Sequence, residues 1–178
     1  MNDTNEGISM DNAEWQEIIK SIPVVCDITE TTAGGVARQV LKAVFEKNGL
    51  PMDKLDAMVS TVIAHSLWGD IGFAAMHGFA ILHGYVPGLE KLLVGIGVFR
   101  HGRSIDFNAI DGSRTHVFVV IVCSSPDHAG YRQFLARLSS CIISDDMESR
   151  LASVSTRDDL EALLGSNSPL TRPMAGRH

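Results

Sequence analysis

Three almost unbroken apolar runs constrain this chain more than anything else in it: FAILH at 79–83, LLVGIGVF at 92–99 and HVFVVIVC at 116–123. A strand with one face in water alternates apolar and polar residues, because successive side chains point to opposite faces. These runs do not alternate, so both faces of the sheet they form must be covered. The covering material is present as helical patterning. Val36, Val40, Leu41, Val44 and Phe45 form one stripe of a helix over about 32–48, with Thr29, Thr31 and Thr32 as cap candidates and KNGLP as its stop. A second helix starts near Asp53 and turns Leu55, Met58, Val59, Val62 and Ile63 inward, while its end near SLWGDIG is not marked. After Pro126 the 3.6 period returns with Phe134, Leu135, Leu138 and Ile142, and DDMESRLASV and TRDDLEALL open two shorter helices on acidic residues that suit a helix N-terminus. With VVCDI at 24–28 as a further strand, helices and strands mix without strict alternation. The expected fold is a three-layer α/β/α sandwich around a mixed sheet.

At 178 residues, with 45% apolar and 20% charged residues, the chain reads as one globular domain. Its expected limits are 12–164, between a flexible segment at 1–11 and a Ser-, Pro- and Gly-containing tail at 165–178. The net charge of -6 argues against a nucleic-acid footprint, which gathers Lys and Arg against phosphates. Cys26, Cys123 and Cys141 are odd in number and set in apolar surroundings, as reduced core thiols are, which points to the cytosol. The opening MNDTNEGISMDNAEW lacks the charged and apolar regions of a secretory signal, and no apolar run approaches the roughly 20 residues of a membrane span.

Several chemistries lack their motifs. There is no Walker pattern, GIGVFRHG breaks the dinucleotide fingerprint at its last glycine, and no G-x-S-x-G occurs. Neither H-E-x-x-H nor Cys-rich spacing supports a metal, so no metal and no cofactor is expected. Six of the seven histidines, His65, His77, His83, His101, His116 and His128, lie in the folded region. His77 and His83 would share a face if one strand covered both, with His65 nearby from the preceding helix, but Gly78 interrupts such a strand. His116 opens a strand at the sheet edge, and His101 and Arg103 lie in the polar loop FRHGRSIDFNAIDGSRT. His83 ends an apolar run just before the turn GYVPG. Alone, it reads as a strand-end histidine.

In sequence order, GFAILHGYVPGLEKLLVGIGVF, SIDFNAIDG and VFVVIVCSSPDHAGYRQFLARLS together resemble the fructose/mannitol-type IIA component of the phosphoenolpyruvate-dependent sugar phosphotransferase system, including its nitrogen-regulatory branch. In that family a stretch like G-[VI]-A-[IV]-P-H-[AG] ends in the phosphorylated histidine, I-D-F-x-A-x-D-G precedes a very apolar strand, and S-P-x-D leads into a helix. VVCDITETTAGGVARQVLKAVFEKNGL is similar to the family's opening strand and first helix, so the resemblance spans about 12–164.

The resemblance implies that His83 sits at the mouth of a shallow cleft and accepts a phosphoryl group from the histidine-containing phosphocarrier protein. It would then pass the group to a IIB component or use it in regulation. Such a transfer needs a neutral nucleophilic nitrogen, an in-line approach and donors for three phosphoryl oxygens, and an imidazole of ordinary pKa near 6.5 supplies the first. The chain departs from the family at three places. Leu82 replaces the proline before the histidine. Leu67 stands sixteen positions before His83, where a basic residue is usual, and no Arg or Lys occurs between Lys54 and Lys91, which leaves His65 or His77 as substitutes. Tyr131 falls at the family's second histidine, with His128 one turn earlier and Arg132 beside it. The alternative is a degenerate IIA-like module that binds a regulatory partner through the same surface. No fused IIB or membrane segment accompanies the domain, so transport by this chain alone is not expected.

Overall fold

The computed structural model describes residues 10–67, 74–100, 102–107, 109, 111–142 and 146–166, with 65–67, 74–76 and 166 in backbone only. Most of the two expected flexible ends, and His101, lie outside that set. The elements run α1 (Asn12–Ser21), β1 (Val24–Val25), α2 (Ala33–Asn48), a 3₁₀ turn (Met52–Lys54), α3 (Leu55–Leu67), β2 (Ala74–Met76), β3 (Phe79–Tyr85), β4 (Leu93–Val98), β5 (Val117–Cys123), α4 (Ala129–Ile142), α5 (Met147–Leu151) and α6 (Arg157–Ser166).

The five strands form one sheet in the order β1-β4-β5-β3-β2. β1 is parallel to β4 and β3 to β5, whereas β4 is antiparallel to β5 and β2 to β3. The sheet is therefore mixed, as the lack of strict alternation between helices and strands leads one to expect. Odd-numbered residues of β3 and β5 and even-numbered residues of β4 (Phe79, Ile81, Val117, Val119, Ile121, Val94, Ile96) pack against Trp15 and Ile19 of α1, Phe134 and Leu138 of α4 and the short α5 and α6. The opposite parity (Ala80, Leu82, Phe118, Val120, Val122, Leu93) meets Val36, Val40, Val44 and Phe45 of α2 and Leu55, Val59 and Val62 of α3. Two apolar cores on one sheet complete the α/β/α sandwich.

The glycines of LLVGIGVF belong to this packing. A Cβ on Gly95 would lie 2.6 Å from both Val40 Cγ1 and Val44 Cγ2, and one on Gly97 would lie 2.8 Å from Val40 Cγ2. Removing two side chains from β4 lets α2 lie against its backbone. Thr32 accepts a hydrogen bond from the Gly35 N–H to start α2, and Gly49, in the left-handed region at φ 63°, ends it.

Four features differ from the sequence-based expectations. α1 was not expected; Asp11, placed in the loose segment, caps it through a reciprocal box with Glu14, and its Trp15 is 1% exposed with Nε1–H donating to the Leu164 carbonyl. The strand expected over VVCDI pairs only through Val24 and Val25. Beyond them the backbone turns to side chains, with the Cys26 carbonyl accepting from Arg100 Nε and the Asp27 carbonyl from Gln39 Nε2. His116 is buried rather than at an open sheet edge, 6% exposed and just ahead of β5. The loop holding SIDFNAIDG is in part apolar: Ile105, Phe107 and Ala109 pack on the α2/α3 core, and the Phe107 ring meets Phe118 edge-on at 5.1 Å. Among the described residues no helix is long and apolar enough to cross a membrane.

Candidate functional site

The C-terminal ends of β3 and β5 lie side by side, His83 paired with Ile121 and Tyr85 with Cys123. Antiparallel pairing of Leu93 with Val122 brings the start of β4 to the same end. The Val86 N–H donates to the Cys123 carbonyl at 2.8 Å, and a turn closed by Leu89 N–H on the Val86 carbonyl carries the chain away. Gly88 takes φ 85° there, which explains the glycine of GYVPG. From Cys123 the segment SSPDH leads into α4, whose first turn carries Tyr131.

His83 projects to the α1/α4 side of the sheet. Its ring centroid is 5.1 Å from that of Tyr85, two residues on and so on the same face, and 6.3 Å from that of Tyr131. The two tyrosine rings meet edge to face at 6.0 Å. Burial pushes the Tyr131 hydroxyl pKa well above its ordinary value, and a hydrogen bond with Tyr85 adds to the shift, so the phenol keeps its proton. Burial likewise raises the Cys123 thiol, which donates to the Ser125 carbonyl. His83 itself is only 2% exposed. The expectation of a histidine at the mouth of a cleft is thus corrected: two tilted phenol rings lie against it in an otherwise apolar core.

The other sequence candidates divide clearly. His128 Nδ1 accepts the Tyr131 backbone N–H at 3.2 Å, so its ring caps α4. His65 lies on α3, one turn beyond Val62; a Cβ on Gly84 would come within 3.1 Å of Val62, so α3 covers the face opposite His83. His77 precedes β3 at its other end, in a turn with φ 51°, and cannot share a site with His83. There its backbone N–H donates to Asp111 Oδ2 at 2.8 Å, with its Nδ1 3.5 Å from the same oxygen. Asp111 also accepts from the Ser113 N–H, and Ser113 Oγ accepts from the Gly78 N–H. The aspartate of the IDFxAxDG stretch therefore ties the β2–β3 turn to the loop before β5. Burial alone would raise its carboxyl, but these hydrogen bonds outweigh that and hold it at about 2.

Tyr85 was missed as a site residue, although strand alternation from His83 marks it. Leu67, in the place of the usual basic residue, ends α3. Among the described residues no group of three or more His, Cys, Asp or Glu side chains could hold a metal ion.

A family model described as phosphoenolpyruvate-dependent sugar phosphotransferase system, EIIA 2, matches residues 5–167. The chain belongs to this EIIA family. Comparison with curated proteins finds no sequence match. Solved structures show the same fold at low identity. The nitrogen regulatory protein IIA-Ntr from Neisseria meningitidis is 17% identical, with a TM-score of 0.64 over 83% of this chain and 99% of that one. The mannitol IIA from Escherichia coli is 15% identical, with a TM-score of 0.58 over 79% of this chain and 94% of that one. The mannitol IIA in its complex with phosphorylated enzyme IIB, also from Escherichia coli, is 12% identical, with a TM-score of 0.57 over 80% of this chain and 94% of that one. Within this EIIA domain, the segments that carried the resemblance build two opposite ends of β3: the histidine motif one end, the IDFxAxDG loop the other.

Proposed function

We propose that this EIIA domain is a phosphocarrier in which His83 accepts a phosphoryl group from the histidine-containing phosphocarrier protein and passes it to a IIB component or into regulation. The observation that carries this reading is the place of the imidazole. It ends the family's histidine motif where the ends of β3 and β5 meet the start of β4 and the first turn of α4. Loops and helix N-termini gathered at strand ends are where groups bearing negative charge are best received. The structural neighbour that is itself a IIA–phosphorylated IIB complex supports a IIB protein as the acceptor.

A second reading, a IIA-like binding module that has lost efficient transfer, is favoured by two observations. His83 is 2% exposed, which leaves little open surface for the in-line approach of an incoming phosphohistidine. No Lys or Arg occurs between Lys54 and Lys91 to balance phosphoryl charge from the segments before His83. Losing one such electrostatic donor costs about a hundredfold or more in comparable sites.

Incubation with phosphoenolpyruvate, the first enzyme of the system and its phosphocarrier, comparing the native chain with His83→Ala, separates the two. Acid-labile, base-stable phosphate on the native chain alone is the result expected. No label, where a control IIA domain is labelled, favours the binding module.

A further inference from the structure

We propose that the hydroxyls of Tyr131 and Tyr85 hold the phosphoryl group on His83, a pair of neutral donors doing what a cation and a second imidazole would otherwise do. The inference rests on His83 as the phosphoryl acceptor. The three rings close a triangle with centroid separations of 5.1, 6.3 and 6.0 Å, built from two adjacent odd positions of β3 and the first turn of α4. Around them the core is Ile121, Val94 and Phe134, an environment in which phenylalanine would serve as well for packing. Two phenols in such a core need a polar reason, and here they bond to each other. That bond can be exchanged: each hydroxyl that turns from its neutral partner to a phosphoryl oxygen gains a charge-assisted bond about twice as strong. Burial keeps Tyr131 protonated, so it donates throughout the range in which imidazole titrates.

In the transfer, the donor's P–N bond breaks as a lone-pair nitrogen of His83 forms a new one. The departing donor ring takes the bonding electrons and gains a proton, while the other nitrogen of His83 releases one. The dianionic phosphoryl oxygens then lie beside the two hydroxyls. Because the same rings bury His83, they also shield the new bond from water.

The test uses phosphoramidate, a small donor whose P–N bond breaks with loss of ammonia, beside the enzymatic phosphocarrier route. Loading and hydrolysis of phosphohistidine are followed in the native chain, Tyr131→Phe, Tyr85→Phe, Tyr131→His and His83→Ala, with denaturation midpoints for each. The expected result is at least tenfold slower loading by phosphoramidate in either Phe variant at an unchanged midpoint. Faster hydrolysis of the loaded form should accompany it, and loading should recover in Tyr131→His, which restores a donor that a purely structural ring would not need. If a Phe variant is unfolded, the His variant decides: loading and hydrolysis within twofold of native support the inference, and tenfold loss overturns it. Phe variants that fold and match the native rates overturn the role of the hydroxyls and leave His83 standing as acceptor. Loading by phosphoramidate but not by the phosphocarrier overturns that donor alone, with the hydroxyls still judged by the Phe variants. No loading of the native chain by either donor overturns both.

Discussion

Gly95→Ala tests the spacing of the two layers that build this domain. The added methyl would begin 2.6 Å from Val40 Cγ1 and Val44 Cγ2, where carbon atoms ordinarily rest at about 3.5–4.0 Å, so roughly 1 Å must be found. Neither valine yields easily, since a β-branched residue in a helix has one strongly preferred χ1, and both are fully buried against the sheet. Either α2 moves off β4 or the strand bows away from α2. Overpacking of this kind costs about 1–3 kcal/mol; with two stiff neighbours the upper half, about 2–3 kcal/mol, is expected. For a chain of this size that lowers the melting temperature by roughly 4–12 °C. Denaturant unfolding of Gly95→Ala beside Gly34→Ala measures it. Nothing lies within 4 Å of the Cβ position at Gly34 in the first turn of α2, and that variant should be neutral or gain up to about 1 kcal/mol. A Gly95→Ala unfolding free energy within about 0.5 kcal/mol of native would refute the account of GIG as a packing device.

Two further predictions concern pH. Asp111→Ala removes the acceptor for the His77 and Ser113 N–H groups and should cost about 1–2 kcal/mol near neutrality, at the low end for charged hydrogen bonds because the carboxylate is partly exposed. The carboxyl is held at about 2 against an ordinary 3.8, so its contribution is complete above about pH 4 and lost as pH falls through 2; acid unfolding curves of variant and native chain should converge over that window. The His116 imidazole, by contrast, has its pKa pushed below the ordinary 6.5 by burial, with Glu148 and a backbone hydrogen bond with Arg103 partly offsetting and Arg114 adding to the shift, and its buried Nδ1 finds no hydrogen-bond partner among the described residues. The unfolded chain therefore binds this proton first as pH falls below about 6.5, which costs stability at up to roughly 1.4 kcal/mol per pH unit. His116→Leu should flatten the stability profile between pH 7 and 5, and an unchanged slope would show that the proton is accommodated in the fold.

The architecture was legible because its signals are redundant. FAILH, LLVGIGVF and VFVVIVC announce doubly covered strands, and the stripes of α2 and α4 lie where their periodicity put them. Elements resting on few residues were less so. β1 keeps two of the five residues of VVCDI because side chains of Gln39 and Arg100 capture the carbonyls that follow, and such long-range competition leaves no local mark. α1 did leave one, Asp11 three residues ahead of Glu14 with Trp15 and Ile19 at helical spacing, hidden within a polar terminus. At the site, motif order led to His83 and Tyr131, which the fold brings together. Exposure did not follow from the motif, because His83 is buried by Tyr85 and by a helix more than forty residues away in sequence. His65 and His77 looked interchangeable as substitutes along the chain; the sheet puts the backbone of one in the layer across from the imidazole and the other at the far end of β3.

The alternation along β3 has a consequence for how such a domain can change over generations. Leu82 and Gly84 face one core and His83 and Tyr85 the other. Inserting or deleting a single residue before position 83 in this strand would carry the imidazole through the sheet into the α2/α3 layer and leave a leucine or glycine against Tyr131. Point substitutions can alter the donors around the ring one at a time, but the count of residues from Phe79 to His83 is held fixed by both cores at once. A lineage that loses phosphotransfer is thus expected to keep the histidine motif in register long after its chemistry has gone, since the spacing is enforced by packing whether or not a phosphoryl group ever arrives.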